Sequence, residues 1–155
     1  MAFPALHKRA PAFTLLNQHQ TSVSLKDYLG KKVALFFYPE DDTPTCTQEA
    51  CNLRDHYEIL QHKGIILLGI SPDEPQKHVK FIAKYKLPFD LLSDTDMKIM
   101  KKYDVWGEKK MYGHTFMGVK RTTFLINEEG KLDAIVQRVL SKIHHQQILK
   151  TWNME

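Results

Sequence analysis

Val33–Tyr38 is apolar throughout and does not alternate, as expected of a central strand buried on both faces. Ile65–Ile70 repeats the pattern. Between them Cys46, Ala50, Leu53, Tyr57 and Leu60 recur at steps of four, three, four and three, which marks one helix face. Thr43 is placed to cap that helix, Pro44 suits its first position, and Gly64 ends it. Strand, helix, strand predicts a right-handed βαβ unit with a parallel pair.

The flanking pattern is shorter-ranged. Residues 1–11, with Pro4 and Pro11, read as an irregular arm. Ala12–Leu16 and Thr21–Ser24 read as short strands around Asn17-Gln18-His19-Gln20, and Ser24–Leu29 as one helical turn before Gly30. Ser71–Pro75 starts a helix that carries Val79, Ile82 and Ala83 and stops before Pro88. Phe89–Leu92 is a strand, and Ser93-Asp94 caps a helix with Ile99, Met100 and Tyr103. Residues 104–120, with Trp106, Met111, Tyr112, Phe116, Met117 and three glycines, read as a long loop, a class that tends to be functional. Trp106, Phe116 and Met117 are expected in the core or a pocket wall, not in a cofactor box. Thr122–Asn127 and Leu132–Gln137 flank Glu128-Glu129-Gly130 as a hairpin. Ser141 opens a last helix that buries Ile148, Leu149 and Trp152.

Composition narrows the classes. With 155 residues, 43% of them hydrophobic, a single domain over 1–155 has enough core without a metal or disulfide staple. No apolar run reaches membrane-spanning length and no charged-then-apolar leader is seen, so a cytoplasmic location is expected. The two cysteines are then thiols first, and a bond between them would be transient. The 22 basic residues are scattered among 18 acidic ones, for a net charge of +4, without the basic block that nucleic-acid binding calls for.

Both cysteines lie in Tyr38–Cys51, where the first apolar strand turns into the helix. The open end of a helix offers unpaired N–H groups and partial positive charge, which favour a thiolate in its first turn. Position alone leaves Cys46 as consistent with a buried structural thiol as with a reactive one. Glu49 fits a capping role at its own helix start, and Arg121 a surface salt bridge. His144 and His145 are adjacent and do not share a helix face, which argues against a metal pair. His56 and His62 fit a solvated face.

Pro39-x-x-x-Thr43-x-x-Cys46 resembles the active-site motif of the peroxiredoxins. Tyr38–Cys51, with Cys-Thr-x-Glu-Ala-Cys, resembles the branch called peroxiredoxin Q or bacterioferritin comigratory protein. The likeness continues through Tyr103–Lys109 and Gly118–Ile126 and covers essentially the whole chain. Thr45 stands where this branch often has glycine, a change that keeps the backbone N–H. The resemblance implies an α/β, thioredoxin-like fold: a central mixed sheet flanked by helices, with an N-terminal strand extension. It implies reduction of hydrogen peroxide and organic hydroperoxides by a thiol, with no metal or organic cofactor.

Carried onto this chain, Cys46 is the nucleophile that becomes a sulfenic acid. Arg121 keeps it ionised and hydrogen-bonds the peroxide through its fork. Thr43 and the Cys46 N–H orient the peroxide, Pro39 shields the sulfur, and Glu49 orients Arg121. Cys51 attacks the sulfenic acid, and thioredoxin or a similar dithiol protein reduces the resulting disulfide. The expected partners are that reductant and a peroxide, with no nucleic acid or membrane, and the chain is expected to be a monomer or weak homodimer. The competing readings are a thiol–disulfide oxidoreductase, which usually carries C-x-x-C rather than C-x₄-C, and a redox-sensing interaction module.

One geometric expectation follows. On one intact helix the two cysteine Cα atoms would stand roughly 8.6 Å apart and on different faces. A disulfide tolerates ~7 Å with converging Cβ vectors. The first turns, about 43–54, must therefore unwind, which the weak helix formers Thr45, Thr47 and Asn52 make less costly.

Overall fold

The computed structural model describes residues 3–154. β1 (Thr14–Leu16) and β2 (Ser22–Ser24) lead through a 3₁₀ turn (Leu25–Tyr28) to β3 (Lys32–Phe37). Then come α1 (Pro44–Asp55), α2 (Tyr57–His62), β4 (Ile65–Ser71), α3 (Pro75–Tyr85), β5 (Asp90–Ser93) and α4 (Lys98–Lys102). The chain ends with β6 (Trp106–Met111), β7 (His114–Val119), β8 (Thr122–Ile126), β9 (Leu132–Val136) and α5 (His144–Thr151).

Seven strands form one sheet in the order β2-β1-β5-β4-β3-β8-β9. β3, β4 and β5 are parallel, as the βαβ reading requires. β8 joins β3 antiparallel, and the β1–β2 hairpin extends the far edge. Val33, Leu35 and Phe37 enter a core with Leu68, Ile70, Phe124, Ile99 and Met100. Ala34, Phe36 and Tyr38 enter the opposite core, with Leu53 of α1, Leu60 of α2, Phe81 of α3 and Ile148 of α5. Both faces of β3 are thus covered, which is why its apolar run shows no alternation.

Four expectations need correction. The helix from Thr43 to Gly64 breaks at His56, whose Nδ1 pairs with the Asn52 carbonyl (2.9 Å) that an unbroken helix would give to the His56 N–H. The apolar stripe nevertheless runs on across the break, with Cys46, Ala50, Leu53 and Leu60 all buried. The inner face of α3 is His78 and Phe81, while Val79 and Ala83 are exposed. Residues 104–120 are no loop: β6 and β7 pair from Trp106↔Val119 to Met111↔His114 around Tyr112-Gly113. Phe116 and Met117 stand exposed on this hairpin instead of lining a core. Finally, α5 starts at His144 and not at Ser141, whose hydroxyl donates to Gln48 Oε1 (2.5 Å) instead of capping the helix.

Candidate active site

The β3–β8 ladder ends at Phe37↔Thr122, so Arg121 enters beside the loop that leaves β3. That loop leads into α1, with Thr43 as N-cap and Pro44 in the first turn. Thr47 N–H makes the first intrahelical bond, to Thr43 O at 2.8 Å, so the N–H groups of Thr45 and Cys46 have no helical acceptor. Cys46 is buried in this first turn, and Arg121 Nη1 donates to its Sγ at 3.2 Å. The Thr43 hydroxyl makes no cap bond; it donates to Glu40 O at 3.0 Å, which leaves its lone pairs free to accept. Pro39 is half-buried on the bend after β3.

Three consecutive acidic residues pin this loop to α3. Glu40 takes Lys77 (2.7 Å), and Asp42 takes Lys84 (2.8 Å) and the Tyr85 hydroxyl (2.9 Å). Asp41 is buried between them: Oδ1 accepts the Tyr38 hydroxyl (2.5 Å), and Oδ2 lies 2.6 Å from Nδ1 of the equally buried His78. Its N–H donates to Asp73 (2.7 Å), which also accepts the Ser71 hydroxyl. One ligand atom each of Asp41, Asp73 and His78 lies within 4.8 Å of the others, close enough to share an ion, but the bonds above already engage these polar atoms. Burial, then the Asp41 charge, raises the Tyr38 phenol well above its ordinary range, so it remains a donor.

Behind the sulfur lies a second buried pair. Glu49 is 1% exposed, with Oε1 3.8 Å from Arg121 Nη1 and Oε2 3.4 Å from Nε2 of His144, which is 0% exposed. Burial pushes the Glu49 carboxyl up from 4.5 to about 8, against the pull of Arg121. Burial pushes His144 down from 6.5 to about 4. Both shifts favour the uncharged forms, which weakens either contact as an ion pair. Glu49 faces Arg121, as the family motif implies; sequence reasoning overlooked His144.

This pair has a signature in stability. Folded Glu49 holds its proton more tightly than unfolded Glu49, so its contribution is full below pH 4.5 and is lost as pH rises to about 8. Folded His144 holds its proton less tightly, so its contribution is full above pH 6.5 and is lost as pH falls to about 4. The two slopes oppose between pH 4.5 and 6.5, and only the Glu49 loss remains from 6.5 to about 8. That loss is at most about 1.4 kcal/mol per pH unit. Urea unfolding over this upper range should show the loss in the wild type and not in Glu49→Gln. Equal slopes in the two proteins would rule Glu49 out as its source.

Lys109 on β6 is a second cation of the site that sequence reasoning missed. Burial and Arg121 lower its pKa while Cys46 raises it, and its Nζ donates to Val119 O at 2.9 Å. Cys51 is half-buried further along α1, and both thiols are free. His56, expected in solvent, stacks face to face on His145 with ring centroids 3.4 Å apart.

The chain that carries this site has counterparts among known proteins. The AhpC/TSA family model matches residues 6–135. The chain belongs to the AhpC/TSA family. It is a peroxiredoxin, an enzyme that reduces peroxides with a thiol. A Bcp-type peroxiredoxin of Haemophilus influenzae is 50% identical over 141 residues, covering 91% of each chain. The structure of a Xylella fastidiosa PrxQ variant superposes with a TM-score of 0.90 at 27% identity, covering 99% of this peroxiredoxin and 98% of that chain. The bacterioferritin comigratory protein of Xanthomonas campestris, solved in a study of its alkyl peroxide reduction, gives 0.84 at 30% identity, covering 91% and 90%. Among the described residues no helix is long and apolar enough to cross a membrane.

Proposed function

We propose that Cys46 attacks the peroxide and that Cys51 resolves the product. The 3.2 Å contact from Arg121 Nη1 to Cys46 Sγ carries this reading. The Cys46 thiolate attacks the distal oxygen of the peroxide; the O–O bond breaks, and hydroxide or alkoxide leaves and is protonated. Arg121 spans sulfur and peroxide with its fork, offering N–H groups where negative charge develops. The free Cys46 N–H donates to the peroxide, and the Thr43 oxygen accepts from it. Pro39 covers the sulfur on the loop side, and Glu49 orients Arg121 from behind. The Cys51 thiol then attacks the Cys46 sulfenic acid, water leaves, and a thioredoxin-type dithiol protein reduces the disulfide.

The substrates are hydrogen peroxide and alkyl hydroperoxides, and the protein acts in the cytoplasm as one domain, a monomer or weak homodimer. Relatives matched over about nine tenths of their own length support the single domain. The test couples the protein to thioredoxin, thioredoxin reductase and NADPH. NADPH should be consumed on adding peroxide. Reduction of insulin disulfides in place of peroxide would favour the thiol–disulfide oxidoreductase.

Arg121→Gln should slow Cys46 oxidation by ~10²-fold, the usual cost of ~3 kcal/mol for losing one donor aimed at a developing oxyanion. Losing the cation also disfavours the thiolate, so iodoacetamide labelling of Cys46 should need higher pH. If neither the rate nor the labelling profile moves, Arg121 has no part in the reaction.

A further inference from the structure

One buried polar cluster stands outside the chemistry above. Tyr38, Asp41, Ser71 and His78 are each at most 2% exposed, and they meet where the loop after β3 touches β4 and α3. Asp41 sits at the centre. Its Oδ1 accepts the Tyr38 hydroxyl (2.5 Å) and its Oδ2 pairs with His78 Nδ1 (2.6 Å). Its N–H donates to Asp73 (2.7 Å), which the Ser71 hydroxyl fixes in turn (2.8 Å). The other nitrogen of His78, Nε2, lies 3.2 Å from the Leu92 carbonyl oxygen. A carbonyl oxygen only accepts, so Nε2 carries a hydrogen and the ring is locked between β5 and Asp41.

Stability alone is a poor reason for this cluster. Buried acid–base pairs often contribute no more than apolar side chains of the same volume, whereas a fully bonded network specifies one arrangement. What is specified here is the loop. Pro39 and Thr43 lie two residues to either side of Asp41. Tyr38, just past the end of β3, ties Asp41 back across the bend, and Asp42 beside it is left-handed at φ +60. The chain then enters Thr43, whose hydroxyl bonds Glu40 O and keeps its lone pairs free to accept. Arg121 bonds the sulfur directly and takes no part in the cluster.

We propose that His78 is a positioning residue of the peroxide step: its Nδ1 bond fixes Asp41, and through Asp41 the places of Pro39 and Thr43 at the sulfur. The proposal rests on the assignment of Cys46 and its loop above. A misplacement of about 1 Å in an orienting group can slow a reaction about 10²-fold. Losing the His78–Asp41 bond frees the loop, so the peroxide is oriented less well while the thiolate is unchanged.

Two reagents separate orientation from nucleophile. Peroxide needs Thr43 and Pro39 in place; iodoacetamide needs only the Cys46 thiolate. Both second-order rate constants are measured at neutral pH for wild type, His78→Asn, His78→Gln and Tyr38→Phe. The Asn amide reaches the position of Nδ1 and can still donate to Asp41. The Gln amide reaches that of Nε2 and can donate only to Leu92 O. His78→Gln should therefore slow peroxide oxidation about tenfold, in the range of one lost hydrogen bond, and His78→Asn no more than about threefold. Alkylation should be no slower than in the wild type in either. Tyr38→Phe, which keeps the ring and its packing, should lose about threefold with peroxide and nothing with iodoacetamide.

A merely structural histidine would slow both reagents together, or weaken the Asn and Gln variants alike. Either pattern, or an unchanged peroxide rate in folded His78→Gln, would overturn the proposal. Should His78→Gln not fold, Tyr38→Phe decides, and a wild-type peroxide rate in that variant would overturn it. Histidine ¹⁵N spectra of the wild type need no substitution and should show a hydrogen on Nε2 of His78; a bare Nε2 would overturn it as well. If wild-type Cys46 does not react with peroxide, the site assignment fails and takes this proposal with it. If the wild type reacts but the variants slow both reagents equally, only the role of His78 fails.

Discussion

Cys46→Ser should abolish peroxide turnover. A serine hydroxyl is not ionised near neutral pH, so the attacking anion is absent even with Arg121 and the open end of α1 unchanged. The loss should therefore be complete and not graded, unlike that of Arg121→Gln. Folding should survive, since the change removes no volume of note from the buried stripe and the Arg121 donor keeps an acceptor at the same place. The check is NADPH oxidation in the thioredoxin-coupled assay, with the thermal transition followed in parallel. Substantial turnover by a folded Cys46→Ser protein would end the assignment.

Cys51→Ser should keep one fast oxidation and then stall. Attack on the peroxide needs only the folded site, which Cys51 does not enter. Closing the disulfide needs more. Both cysteines lie on the single helix α1, where five residues separate their Cα atoms by roughly 8.6 Å and turn them to different faces. The helix must open, and the structure shows what opening costs. Asn52 donates to Lys142 O (2.9 Å) and accepts the His145 N–H (2.8 Å), and the His56–His145 stack sits one turn further on. The Glu40–Asp42 loop is held separately by α3, so it can stay in place while α1 unwinds.

Without Cys51 the sulfenic acid has no nearby thiol, and excess peroxide should carry it on to the sulfinic acid. Single-turnover kinetics and intact-mass measurement read both effects; steady turnover by Cys51→Ser would show that another group resolves Cys46. Amide exchange should rise across residues 45–54 in the disulfide form of the wild type. Equal protection in the reduced and disulfide forms would refute the unwinding.

What could be read from the chain follows from how burial writes itself into sequence. β3 and β4 are covered on both faces, so each is an unbroken apolar run, and the stripe of α1 survives the break at His56. The β6–β7 hairpin leaves no such trace. Glu108, Lys109 and Lys110 fall in the middle of β6, and most of β7 is solvated, so no period of two marks the strands. Tyr112 occupies the turn at φ +52, a conformation that residue rarely signals.

The site divides in the same way. Cys46, Thr43 and Pro39 share one local motif, and Arg121 and Glu49 were reached through family likeness. Their supports were not legible, because each is a long-range contact between polar residues that look solvated in sequence. His78 meets Asp41 across 37 positions, and His144 meets Glu49 from the last helix. Adjacent histidines gave no hint that one is buried and the other stacks on His56. Only the sheet order, which brings β8 beside β3, places Arg121 at the sulfur.

The most direct test adds one equivalent of hydrogen peroxide to the fully reduced protein, quenches with an alkylating reagent and maps the peptides by mass. The account predicts that both thiols are lost together and that one intrachain Cys46–Cys51 disulfide forms for each peroxide consumed. Two alkylated cysteines with the peroxide intact, or oxidation that leaves Cys46 as a free thiol, would contradict it.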